Sequence, residues 1–177
     1  MEIVAYCLMP NHVHLVVVPA DGDQLHCAIG ATHGQYAQRV NRMRNQSGHF
    51  WQGRFFSSVL NSEYFINAIR YVELNPVRAG LAVKAEDYWW SSAPVHCGLR
   101  GDPVVAATPR SELLAGIASW SRWLAEGIPE ESLEALRRNV RQGLPCGSPE
   151  FIDHLERETG RSLRYTPAGR ECDQKKK

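Results

Sequence analysis

Two short runs of apolar residues near the N-terminus are rich in β-branched side chains. They cover residues 3–9 (IVAYCLM) and 13–18 (VHLVVV), and the turn-type cluster PNH separates them. This pattern predicts two adjacent antiparallel strands. A later run at 50–60 (FWQGRFFSSVL) is aromatic and β-prone, so it predicts a third strand.

Apolar residues at helical spacing fill the gaps between these runs. A first helix is predicted to begin after the turn and cap residues 21–23 and to break at NQSGH, residues 45–49. A second helix is predicted over 63–74, ended by Asn75-Pro76. The stripes that we expect to face the core are Leu25, Ala28, Ile29, Thr32, Tyr36, Val40 and Met43 in the first helix, and Phe65, Ala68, Ile69 and Val72 in the second.

Beyond residue 110 the pattern becomes helical. It predicts helices over 111–126, 130–142 and 149–159, the last with Ser148 as its N-cap and Gly160 as its stop. Before this region, EDYWWSS at 86–92 is typical of a packed cap.

These elements predict four parts of the chain. Residues 1–98 form the first domain, 99–110 a linker, 111–160 a helical C-terminal region, and 161–177 a basic disordered tail.

Composition places the chain among soluble globular proteins. Of its 177 residues 44% are hydrophobic and 22% charged, and no apolar run approaches the ~20 residues that cross a bilayer. The N-terminus lacks the basic region of a signal peptide. Five cysteines are scattered without a C-x-x-C pair, which argues against a disulfide framework or a cysteine zinc site. We therefore expect no membrane contact and a cytoplasmic, nucleoid-associated location.

The net charge of +1 conceals a basic middle segment. Between Gln24 and Gly80 there are six arginines and two glutamates, which leaves +4. A local basic excess suits a polyanion-binding surface, although a solvated helix face gives the same charge pattern.

His12 and His14 flank Val13 at the start of the second predicted strand. Residues i and i+2 of a strand project to one face, so the two imidazoles would lie side by side. Such a pair commonly holds a divalent metal. The alternative is a satisfied structural pair, since H-x-H also arises by chance.

Tyr71 and Asn75 are i, i+4 neighbours on the flank of the buried face of the second helix. At this flank a side chain can meet the sheet and still reach solvent. Tyr64 lies on the same flank one heptad earlier and is the competing candidate for a nucleophile. Both tyrosines could instead be ordinary residues at the edge of the core.

The stretch HFWQGRFF interleaves rings with positive charge. Aromatic faces stack on unpaired bases and arginine binds phosphate, so His49, Trp51 and Arg54 are candidate DNA contacts. The alternative is a core strand that buries these rings on alternate positions.

Four ordered motifs together resemble the HUH single-tyrosine transposases, and within them the REP-associated tyrosine transposases, which are relatives of the IS200-like enzymes. The motifs are YCLMPNHVHLVV, SGHFWQGRFFSS, RYVELNPVRAG and DYWWSS. The resemblance runs to about residue 98 and resumes more weakly in RQGLPCGSPEFIDHLERETGRSLR.

The resemblance implies the chemistry of the site. His12, His14 and Asn75 would bind Mg²⁺ or Mn²⁺, and Tyr71 would attack a phosphodiester of single-stranded DNA to leave a 5′-phosphotyrosine link. The substrates would be hairpins from palindromic repeats. The expected DNA contacts are His49, Trp51, Arg54, Arg70 and Arg78.

The resemblance also implies an α+β, ferredoxin-like antiparallel sheet with helices on one face and a helical C-terminal extension. Family members carry a further strand and helix before AYCLMPNHVH, so the first β-α unit is expected to be missing here. Two other functions stay open, namely a catalytically inactive DNA-binding remnant and an unrelated metal-dependent hydrolase. The chain would act as a monomer or a homodimer.

Overall fold

The computed structural model describes residues 1–105 and 111–166 of the chain. The described part of the chain contains two strands, both near the N-terminus, followed by a series of helices. The elements in chain order are β1 (Glu2–Leu8), β2 (Val13–Val18), α1 (Gly22–Arg44), α2 (Ser62–Glu73), α3 (Asn75–Arg78), α4 (Ala93–His96), α5 (Ser111–Leu114), α6 (Trp120–Ala125), α7 (Glu130–Gln142) and α8 (Pro149–Thr159). A 3₁₀ turn occupies Ala85–Asp87.

The two predicted N-terminal strands form an antiparallel hairpin, as expected. Cys7 pairs with His14 and Leu8 with Val13, and a bulge lies between Ile3 and Ala5. On its other edge β1 pairs with the segment after the 3₁₀ turn, since the Leu8 amide donates to the Trp90 carbonyl over 2.8 Å. Among the described residues the outer edge of β2 carries no further strand.

Helix α2 covers one face of this hairpin and forms the core with it. Phe65, Ile69 and Val72 are buried against strand residues that include Ala5 and Val16. The fold class is therefore α+β, as predicted, with a helical C-terminal region. No helix within the described ranges is long and apolar enough to span a membrane.

The C-terminal helices share this core. Leu136 of α7 and Cys146 belong to the same buried cluster as the sheet. The Cys146 amide donates to the Val59 carbonyl over 2.8 Å, and the Asn61 amide donates to the Cys146 carbonyl over 3.0 Å. These bonds join the region after α7 to the start of α2.

The segment predicted as a linker is partly tied to the sheet. The Tyr6 hydroxyl donates to Asp102 over 2.6 Å, and Arg100 donates to the same hydroxyl over 3.0 Å. Residues 106–110 of the predicted linker and 167–177 of the predicted tail lie outside the described residues.

The third strand predicted at 50–60 is wrong. This run forms no ladder, and its last residue, Leu60, makes a single parallel bridge with Cys146. Phe50 and Trp51 turn instead towards α1, where Trp51 stacks on His33 at 4.2 Å between centroids. A β-prone run forms a strand only where a partner strand supplies its hydrogen bonds. Here two of its aromatic rings pack on α1 instead.

The segment 86–92, predicted as a packed cap, is packed at only some of its positions. Trp89 and Trp90 are 63% and 60% exposed, whereas Ser91 and Ser92 are fully buried. The segment runs beside β1. Its buried side chains therefore lie against polar groups in the core and must form hydrogen bonds with them. Ser92 accordingly donates to Glu73 over 2.6 Å.

Two helices differ from their predictions in detail. The predicted helix 111–126 is two helices, because Ser119 caps a new start at α6 by accepting from the Arg122 amide. Helix α1 has its predicted ends, with Asp21 as N-cap and Asn45 in the left-handed conformation. Its apolar stripe is largely exposed, however, since Ile29 is buried while Tyr36 and Met43 are exposed.

Candidate active site

His12 and His14 meet at the start of β2. The Nε2 atoms of the two rings are 3.0 Å apart, and the ring planes are nearly perpendicular, at 86°. His14 pairs with Cys7 in the hairpin, so its side chain lies on the face that packs against α2. His12 lies in the turn before the strand and is exposed.

Asn11 fixes the orientation of the outer imidazole. Its Oδ1 lies 2.6 Å from His12 Nδ1. Because a carboxamide oxygen only accepts hydrogen bonds, Nδ1 carries the proton and His12 Nε2 presents its lone pair. From the sequence, Asn11 was predicted only as a turn residue. A hydrogen-bond acceptor beside a histidine ligand is, however, a common feature of metal sites.

Burial keeps the inner imidazole neutral. Desolvation is the main reason that the pKa of His14 falls from 6.5 to about 4, and the nearby His12 and Arg78 contribute to this shift. A neutral imidazole is the form that binds metal ions.

The spacing of the two Nε2 atoms suits a divalent ion. Two adjacent ligands of an octahedral ion, each about 2.1 Å from it, would be about 3.0 Å apart. Within the described residues no group of three or more His, Cys, Asp or Glu side chains could hold a metal. Further ligands would therefore have to be amide, water or phosphate oxygens.

Tyr71 is brought to the histidines by α2. Its ring lies edge-on to His14, with centroids 5.4 Å apart. From α3, the guanidinium of Arg78 lies 4.5 Å above the tyrosine ring, and its Nη2 donates to the Tyr71 carbonyl over 2.6 Å. Burial lowers the pKa of Arg78, and the neighbouring Tyr71 opposes that shift.

Tyr64 lies on the same flank of α2 but two turns earlier, about 10 Å along the helix axis from Tyr71. It packs against the core cluster that contains Cys146 and Leu136. Burial raises its pKa, and the nearby Cys146 thiol acts in the same direction. The structure thus places Tyr71, not Tyr64, beside His14.

Asn75 lies one turn after Tyr71 and is buried. Its Nδ2 donates to the Tyr71 carbonyl over 3.0 Å and to the Val72 carbonyl over 3.3 Å. These bonds hold the amide of Asn75, the first residue of α3, against the last turn of α2, and among the described residues it makes no hydrogen bond to His12 or His14. Its role as a third ligand stays a prediction.

The predicted DNA contacts fall in different places. Arg78 lies beside Tyr71, His49 is exposed, and Trp51 and Arg54 line a groove next to α1. Arg70 is buried instead. It donates to the Gly127 carbonyl, and its guanidinium lies 4.1 Å above the Trp123 ring. These contacts favour a structural role for Arg70.

A buried carboxylate behind Tyr71 was missed. Glu73 accepts hydrogen bonds from His96 Nδ1 over 2.6 Å and from Trp120 Nε1 over 2.7 Å, besides the bond from Ser92. The sequence contained a signal for it, because Glu73 follows Ile69 by four residues on the core stripe. A carboxylate at such a position must be hydrogen-bonded or paired.

Comparison with known proteins agrees with the resemblance drawn from the motifs. Residues 1–75 match the family described as "Transposase IS200 like". A Haemophilus influenzae protein described as "Putative REP-associated tyrosine transposase" is 26% identical over 102 residues, which are 51% of this chain and 58% of that protein. The chain therefore matches little more than half the length of that relative. No solved structure matches.

Proposed function

We propose, from the match of residues 1–75 to the IS200-like transposases, that the chain is a single-strand DNA endonuclease and strand transferase. In this proposal Tyr71 is the nucleophile and the DNA is a hairpin with unpaired flanks. The observation that carries the proposal is the contact between His14 and Tyr71, because it joins the candidate metal site and the candidate nucleophile.

The reaction exchanges one ester bond for another. Tyr71 Oη attacks phosphorus, the bond from phosphorus to the 3′ oxygen breaks, and the tyrosine becomes linked to the 5′ phosphate. The phenol loses a proton and the leaving 3′ oxygen gains one. Attack by a 3′-OH on the phosphotyrosine reverses these changes, so no external energy source is required.

The residues around the nucleophile suit this reaction. The guanidinium of Arg78, 4.5 Å above the Tyr71 ring, provides positive charge beside the proposed nucleophile, and such charge stabilises a phosphate. His14 packs edge-on against the same ring and restricts its rotation. The hydrogen bonds to Glu73 fix α2 at a point two residues beyond Tyr71.

His12 and His14 would hold the metal ion, which polarises the scissile phosphate when bound. Both ligands are imidazole nitrogens, whereas Mg²⁺ and Mn²⁺ both favour oxygen ligands, so oxygen atoms would have to fill the remaining positions. Asn75 remains the proposed source of an oxygen ligand.

The test uses a 3′-labelled hairpin oligonucleotide with Mn²⁺. A 5′-phosphotyrosine link would leave the label covalently attached to the protein on a denaturing gel. We expect this adduct from the wild type and from Tyr64→Phe, and none from Tyr71→Phe. Equal cleavage by Tyr71→Phe would refute the proposal, and loss in Tyr64→Phe alone would move the nucleophile to Tyr64.

The same assay separates the inactive alternative. Salt-dependent binding of the hairpin by the wild type without any adduct would favour a DNA-binding remnant over an enzyme. Hydrolysis of small phosphoesters that does not depend on Tyr71 would favour an unrelated metal-dependent hydrolase.

A further inference from the structure

A groove of about 380 Å³ lies between α1 and the irregular segment that follows it. His26, Gly30 and His33 form one wall, at positions i, i+4 and i+7 of the helix, which share one face. The other residues that line the groove include Trp51, Arg54 and Phe55. The volume is within the range of about 300–1,000 Å³ typical of small-ligand sites.

The aromatic wall of the groove is held in place. Trp51 stacks on His33 with an interplanar angle of 21°, and its Nε1 donates to the His33 carbonyl over 2.9 Å. On another side Phe50 packs edge-on against the indole at 5.0 Å. His33 thus covers one face of the indole, and a ligand that packs against the remaining surface of this fixed ring costs little side-chain entropy.

The segment of the chain that forms the groove is basic. Residues 24–62 contain four arginines and no aspartate or glutamate. Arg54 is exposed at the groove and forms no salt bridge within the described part of the chain. An aromatic wall beside an unpaired arginine matches a ligand that combines a flat ring with a phosphate.

We propose that this groove binds one unpaired nucleotide of single-stranded DNA. The base packs against Trp51 and Phe55, and its phosphate is held by Arg54. His26 and His33 become DNA-facing residues, and Gly30 leaves room for the base because it has no side chain. The inference rests on DNA as the substrate in the proposed function but not on the chemistry of Tyr71.

Two glycines of α1 provide a matched test. A Cβ added at Gly30 or at Gly34 meets no atom within 4 Å, so both positions accept a side chain. Gly30 lines the groove and Gly34 does not. Gly30→Phe should therefore fill the groove, and Gly34→Phe should leave it open. Both changes remove a helix-weakening glycine, so neither is expected to unfold α1.

Binding is measured by fluorescence anisotropy in the Tyr71→Phe background with a hairpin that carries an unpaired flank. Because one stacked base contributes about 1–3 kcal/mol, Gly30→Phe should weaken binding about tenfold. Gly34→Phe should stay within about twofold. A blunt, fully paired duplex should bind both variants equally. Arg54→Gln should weaken binding and lower the salt slope by about 0.7.

Equal affinities of Gly30→Phe and Gly34→Phe for the flanked hairpin would overturn the proposal. So would an equal loss by Gly30→Phe on the blunt duplex, because the site would then not read an unpaired base. Failure here is distinguishable from failure of the proposed function. Adduct formation that requires Tyr71, combined with no effect of Gly30→Phe, would refute the groove alone. Binding that depends on Gly30 without any adduct would refute the catalytic proposal alone.

Discussion

Replacing Glu73 tests the structural support of the candidate nucleophile. Its side chain is 0% exposed and accepts hydrogen bonds from three donors on other elements. Ser92 and His96 donate to Oε1 over 2.6 Å each, and Trp120 donates to Oε2 over 2.7 Å. The carboxylate thereby ties α2 to α4 and to α6, two residues beyond Tyr71.

The expected loss of stability follows from these three bonds. Glu73→Leu keeps most of the volume but leaves the donors of Ser92, His96 and Trp120 without an acceptor. Each buried orphan costs about 1–3 kcal/mol, and the loss of one partner of a buried pair costs about 3–5 kcal/mol in total. We expect Glu73→Leu to lower the free energy of unfolding by about 3–5 kcal/mol. Glu73→Gln retains one acceptor oxygen and should lose about 1–2 kcal/mol.

The assay is urea unfolding followed by far-UV circular dichroism. Glu63→Leu is the matched control, because Glu63 lies exposed in the first turn of the same helix. Its loss of helix-dipole interaction should cost about 0.3–1 kcal/mol. If Glu73→Leu were no more destabilising than Glu63→Leu, the buried network would not support the helix. If Glu73→Leu folds, it should also form less of the Tyr71 adduct.

Three further predictions follow from particular side chains. Burial and the bond to Asp102 raise the pKa of Tyr6 from 10.0 to about 12, so the folded state keeps a proton that the unfolded state releases. Urea midpoints should therefore fall between pH 10 and about 12, and Tyr6→Phe should make that fall less steep; an unchanged slope would contradict this. Cys27 is exposed and Cys7 is buried, so Cys27→Ser should remove a fast phase of labelling by a thiol reagent. Loss of that phase in Cys7→Ser would contradict the structure. Asn11→Ala should weaken Mn²⁺ binding about 10- to 100-fold in calorimetry, and Asn11→Asp, which keeps an acceptor for His12, should weaken it less. Unchanged Mn²⁺ affinity in Asn11→Ala would show that this hydrogen bond does not orient the ligand.

Elements with local end signals could be predicted closely from the sequence. Helix α8 begins at Pro149 after the cap Ser148 and ends before Gly160, as predicted, because capping depends on a few neighbouring residues. The two strands of the hairpin were predictable for a similar reason, since a short apolar run and its turn are adjacent in sequence.

Elements that depend on distant partners could not be predicted. The run at 50–60 has the composition of a strand, but its bonding partner is a short segment near Cys146, far away in sequence. The run at 86–92 was predicted as a packed cap, but Trp89 and Trp90 are exposed and the buried positions are Ser91 and Ser92. They face a buried glutamate and the edge of β1, which no local pattern reveals.

The candidate site could be predicted from the sequence only in part. Strand alternation predicted that His12 and His14 share a face, and helical spacing predicted that Tyr71 lies at the flank of a buried stripe. Only one tertiary fact was then needed, namely that α2 packs on that face of the hairpin. The arginines required more. Arg70 and Arg78 contribute equally to the basic excess in the sequence, but the C-terminal region covers Arg70 through Trp123 and Gly127 and leaves Arg78 beside Tyr71. Charge counted along the chain thus indicates a basic region, whereas the helices that pack later in the sequence determine which of its arginines stay exposed.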